Sequence, residues 1–129
     1  MTLVATPKPS GLLQATLNSL RGFSILLREK SAQREMVLLA AFGILHFYFP
    51  SLYLEAIIVL LGILLALESL NTAIEKLSDL VEPNFSLSIR EVKDLGSTSI
   101  LIILFFIILI LIKFLGSIKP GIYLTHPVF

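Results

Sequence analysis

Residues 66–77 read ALESLNTAIEKL, and they close an apolar run that begins at Leu52. Such a run normally ends at the membrane surface, yet Glu68, Asn71 and Glu75 fall where lipid-facing side chains are expected. Whether these polar groups meet lipid or a protein interior decides the fold. Composition frames the question. The 129-residue chain is 56% hydrophobic and only 15% charged, with a mean hydropathy of +0.93, whereas a soluble domain carries about 25% charged residues. The sequence therefore reads as a membrane protein. A net charge of +1 gives no electrostatic reason for a nucleic-acid partner. The absence of cysteine removes disulfides, thiolate metal sites and cysteine nucleophiles.

MTLVATPKPS, residues 1–10, lacks the basic start and continuous apolar core of a secretory signal, so the N-terminus is expected to be kept. Five basic residues (Lys8, Arg21, Arg28, Lys30, Arg34) precede the first apolar run, three (Lys76, Arg90, Lys93) flank the middle loop, and only Lys113 and Lys119 follow. Because Lys and Arg favour the cytoplasmic side, the N-terminus and the 76–95 region are expected in the cytoplasm together, which requires an even number of spans between them and, with the final apolar run, an odd number in all. A crossing helix needs about 20 mostly apolar residues, and three can be drawn: 35–54, 52–81 and 95–115. The first has aromatic residues and Pro50 at its far end, where an outer interface and a turn suit them. The second continues past the bilayer until Pro83 makes further helix unfavourable. Residues 116–129 read as an external tail. Within residues 10–30, Leu13, Leu17, Leu20, Phe23 and Leu27 recur at three- and four-residue intervals, the pattern of an amphipathic helix lying in the cytoplasmic interface. The expected fold class is all-α, with three membrane helices and one surface helix in a single domain.

At about 100° per residue, Glu68, Asn71, Glu75, Asp79 and Glu82 share an arc of about 80° on the second membrane helix. A carboxylate at the centre of the hydrocarbon costs about 2.5–3.5 kcal/mol on insertion scales, less near its edge, and such residues usually face a bundle interior with a partner. A solvated face is the plainer account of Glu82 alone. It explains Glu68, Asn71 and Glu75 less well, since an amide between two acids at membrane depth serves no obvious solubility role. Glu29 and Glu35 lie six apart at the entry to the first span. Across the loop, Arg90, Lys93, Asp94 and Ser97 sit at the foot of the last helix. Acidic side chains of the second helix suit magnesium, which binds a few carboxylates together with phosphate oxygens, while Lys93 suits phosphate charge. Phosphoryl transfer to a lipid hydroxyl and purely structural ion pairing fit this charge pattern about equally. No GxxxxGK[ST] and no GxGxxG occurs, so neither a P-loop nor a Rossmann site is supported. His46 has no second histidine near it in the sequence, which favours helix packing over metal binding, and His126 carries no signal.

The run ALESLNTAIEKLSDLVEP, followed by VKDLGS and a final apolar helix, resembles the small prokaryotic diacylglycerol kinase family, which includes undecaprenol kinases. The likeness rests on E-x-x-N-[ST]-A-I-E, an aspartate four residues later and K-D at the foot of the last span, and in length and topology it covers about residues 10–116. It implies a homotrimer in the bacterial inner membrane with cytoplasmic active sites between protomers, using ATP and magnesium to phosphorylate a lipid alcohol. By position, it implies Glu68 as general base, Glu29 and Glu75 as magnesium ligands, and Lys93 and Asp94 as nucleotide contacts. Asn71 and Ser97 fall at lipid-side positions. Asn84, Phe85 and Ser86 occupy the nucleotide-facing loop where the family often has an aromatic followed by histidine, so that phosphate contact is absent or passes to the Ser86 hydroxyl. Near the N-terminus, Arg34 stands one position from the family's usual arginine. KDLGS is closer to the diacylglycerol-specific type, and DLVEP to the undecaprenol kinases. The expected acceptor is diacylglycerol, with undecaprenol as the alternative and a non-enzymatic membrane assembly subunit as the competing class.

Overall fold

The structure, a computed structural model, describes residues 11–118. The N-terminal ten residues and positions 119–129 of the expected tail lie outside the described residues. Four helices and no strands occur among the described residues: α1 (Leu12–Leu26), α2 (Lys30–Tyr48), α3 (Leu52–Val81) and α4 (Leu87–Ser117).

Punctuation between the helices follows from a few residues. Gly11 opens α1 at φ 121°, a left-handed conformation that only glycine adopts without strain. A turn at Leu27–Glu29 leads into α2, with Glu29 as an extended N-cap whose side chain makes no capping bond of its own. Helix α2 starts five residues ahead of the span read as 35–54 and ends six residues short of it. Pro50 accounts for the early end, because the residue before a proline is pushed out of helical conformation. Ser51 then donates its backbone N–H to His46 Nδ1 at 3.4 Å, so His46 serves the turn. Glu82, ahead of Pro83, is likewise extended and closes α3. Helix α4 begins eight residues before the apolar run at Leu95. This extension carries Arg90, Lys93 and Asp94 on regular helix.

Helix α3 is the central element, packed on α2 along one side and on α4 along the other. Its buried residues are Leu54, Ile57, Leu61, Leu64, Glu68, Asn71 and Ser78. The alternating three- and four-residue steps make one straight seam of the kind that holds antiparallel helices side by side. The upper half is apolar: Ile57, Leu61 and Leu64 pack with Ile107 of α4, flanked by Leu39 and Phe42 of α2. Below Leu64 the same seam turns polar without leaving the interface. Glu68 and Asn71, from the stretch that opened the sequence, therefore face protein.

Outside that seam the surface is apolar. Leu101, Ile102, Phe105, Phe106, Ile108 and Ile112 of α4 all point outward, more exposed hydrocarbon than a water-soluble monomer carries. Helices α3 and α4 are each long and apolar enough to cross a membrane, with mean hydropathies of 2.2 and 3.0 over their most apolar windows. Helix α2, with Lys30, Arg34 and Glu35 in its first two turns, is not among the described helices that meet that measure. Helix α1 leaves Leu13, Leu17, Leu20, Phe23 and Leu27 exposed.

Candidate active site

The polar half of the α3 seam forms the floor of the site. Glu68 is 8% exposed and Asn71 7%. Asn71 Nδ2 donates to Glu75 Oε1 at 2.9 Å, the (i, i+4) contact a helix offers naturally, which leaves the second oxygen of Glu75 outside that bond. Asn71 Oδ1 is buried without a donor and lies against Gly96 of α4, so close that a Cβ on that glycine would collide with it. The absence of a side chain at Gly96 is what allows α4 to pass over the amide. Glu35 of α2 brings a further carboxylate to this level. Its Oε2 is buried without a hydrogen-bond partner, and the charge of Glu68 reaches it from α3.

Two ion pairs tie the other helices to the acidic face. Glu29, at the mouth of α2, accepts from Lys76 Nζ at 3.0 Å. Lys76 directly follows Glu75, so this bond draws Glu29 to the turn of α3 that carries Glu75. Lys93 Nζ donates to Asp79 Oδ1, joining α4 to α3 across the loop. Arg90 and Asp94 form a looser pair at 3.7 Å along α4. Beneath the loop, a cleft of ≈ 340 Å³ is lined by Asn84, Phe85, Ser86, Lys93 and Asp94, with Asp79 on its α3 wall. The five residues read from the sequence as nucleotide contacts thus share one cavity.

Ser97 is not brought to Asn71. It is exposed, its hydroxyl donates to the Lys93 carbonyl at 3.1 Å, and it shares the outer face of α4 with Asp94, Thr98 and Leu101. The residues beside Asn71 are Gly96 and Ser99, in a largely apolar groove of ≈ 370 Å³ that also includes Leu67 and Leu70.

Among the described residues no group of three or more His, Asp or Glu side chains is gathered to hold a metal within one chain. Magnesium asks for less: oxygen donors, typically one or two carboxylates, completed by phosphate and water. Glu75, with one oxygen outside its bond to Asn71, and Glu29, tied by Lys76 to the same turn of α3, offer carboxylate oxygens of that kind.

Asp79 as the partner of Lys93, Lys76 as the partner of Glu29, and Ser78 in the seam were not legible as site residues. Asp79 and Lys93 carry a usable signal, since opposite charges bracket a tight helical hairpin. Lys76 and Glu29, 47 residues apart, carry none.

A helical protein with two helices long and apolar enough to cross a membrane, a polar seam buried between its helices and a charged cleft beside it has the features of a membrane protein. Residues 17–115 match the prokaryotic diacylglycerol kinase family. The chain belongs to that family and is, with it, a small membrane lipid kinase. No individually curated protein matches the chain.

Proposed function

We propose that this chain phosphorylates the hydroxyl of diacylglycerol to give phosphatidic acid, with ATP as donor and magnesium as cofactor. It works as a homotrimer of three-span subunits in the bacterial inner membrane, with its N-terminus and site on the cytoplasmic side. The observation that carries this reading is the inward turn of Glu68 and Asn71, with the half-buried Glu75 bonded to Asn71, a polar interior suited to a lipid hydroxyl at the edge of the water phase.

In this mechanism Glu68 accepts the proton of the lipid hydroxyl as its oxygen attacks the γ-phosphorus in line, while the bond to the β-phosphate bridging oxygen breaks and ADP departs. Glu68 suits that role because it is shielded from bulk water. Asn71 fixes Glu75 through its amide. Glu29 and Glu75 would hold magnesium, which neutralises charge on the triphosphate. Lys93, released from Asp79, stabilises charge on the transferring group, and Asp94 with the 84–86 loop seats the nucleotide. Ser97, on the outer face of α4, serves an acceptor bound by the neighbouring subunit.

Undecaprenol is the alternative acceptor, since DLVEP is closer to the pattern of the undecaprenol kinases. The deciding experiment incubates purified protein in mixed micelles with radiolabelled ATP and each lipid in turn. Label transferred to diacylglycerol well above undecaprenol supports the proposal; the reverse order reassigns the acceptor. No transfer to any lipid alcohol overturns it.

A further inference from the structure

Lys76 lies between two functional positions, Glu75 and Asp79, and has no role in the chemistry above. Its ammonium sits 3.0 Å from Glu29 Oε1. Arg28 and Lys30 are the sequence neighbours of Glu29, yet among the described residues Lys76, from another helix, is the cation within ion-pair distance of it. Glu29 is also the N-cap of α2, and its carboxylate leaves that helix end uncapped. Lys76 and Glu29 side chains are 54% and 35% exposed. A pair so open to water is weak and exchangeable.

We infer that Lys76 is a resident counter-ion for Glu29, seated on a carboxylate oxygen that a divalent cation needs, so that cation binding here proceeds by displacement of the lysine ammonium. The inference rests on the proposed role of Glu29 and Glu75. The ammonium satisfies one oxygen with a single positive charge. Magnesium brings two charges and demands that oxygen directly, so the two cannot share it. Once displaced, Lys76 swings into water on its flexible stem. When no metal is bound it offsets the charge of Glu29, at the expense of cation affinity. A purely structural tether predicts the opposite sign, because its loss would let Glu29 drift from Glu75 and weaken the site.

The test is binding of manganese(II), a paramagnetic substitute for magnesium, to the full chain in lipid nanodiscs without nucleotide. Free manganese is counted by electron paramagnetic resonance, and magnesium is then added as competitor. Lys76→Met keeps the apolar stem and is expected to bind both cations about two- to fivefold more tightly, the range set by the loss of one exposed ion pair. Lys76→Arg, which keeps the charge, should match the wild type. Equal or weaker binding by Lys76→Met overturns the inference. Wild-type protein that transfers phosphate to lipid but binds no manganese without nucleotide also overturns it, leaving the kinase reading intact; no binding and no transfer overturns both.

Discussion

Glu68 is a carboxylate at a position where helix packing alone would choose leucine. It follows Leu54, Ile57, Leu61 and Leu64 along one seam, and nothing in its backbone distinguishes it from them. Its placement is tolerable because the seam faces α2 and α4, and exposure to acyl chains would carry the full desolvation cost. A general base contributes typically 10²–10⁴-fold to rate. Glu68→Gln is nearly the same shape and retains hydrogen bonding, so turnover should fall by about that factor, with nucleotide affinity and oligomer size unchanged. A micelle kinase assay paired with light scattering checks both halves. Wild-type turnover in the glutamine variant would remove the proposed base.

At the level of helices, the crossing of α3 and α4 depends on one hydrogen atom. Gly96 passes directly over Asn71 Oδ1, and alanine has no room there. Gly96→Ala should destabilise the helix pair by about 1–3 kcal/mol, the usual range for overpacking. Melting followed by circular dichroism would show it. Adding Asn71→Ala should recover part of the loss, since the collision needs both groups. Full additivity of the two losses would show that they do not meet. Much at this scale was readable in advance. Pro83 announces where α3 stops, because proline restricts the residue before it wherever it stands; Pro50 does the same for α2, though the span drawn to 54 runs past it. The arc from Glu68 to Glu75 is equally local, fixed by 3.6 residues per turn. What was not readable joins distant parts of the chain. Glu29 reaches Lys76 over 47 residues, and Glu35 comes within electrostatic reach of Glu68 only because α2 lies on α3. Ser97 shows the same limit from the other side: its spacing from Lys93 is local, but which helix its face meets is not. Helical periodicity gives the direction of a side chain from its own axis and says nothing of what stands there.

Across the whole molecule, three helices joined by connections at 49–51 and 82–86 alternate in direction, so the two loops lie at opposite ends. The chain has no cysteine, which makes orientation directly measurable. Phe49→Cys in the first loop should react with a membrane-impermeant maleimide added to intact cells. Asn84→Cys in the second should react only after permeabilisation. The reverse pattern would invert the proposed topology and put the cleft on the wrong side for ATP. The length of α3 has a consequence for how such an enzyme meets its acceptor. Its 30 residues extend about 45 Å, while the hydrocarbon layer is about 30 Å thick, so in the proposed topology its last turns stand above the bilayer like a post rising from a floor. Donor and acceptor approach that post from two different phases, one by free diffusion in three dimensions and the other by sliding within a sheet. The acceptor concentration that governs turnover is then a surface density, molecules per unit of membrane, and no lipid has to be lifted from its layer to react.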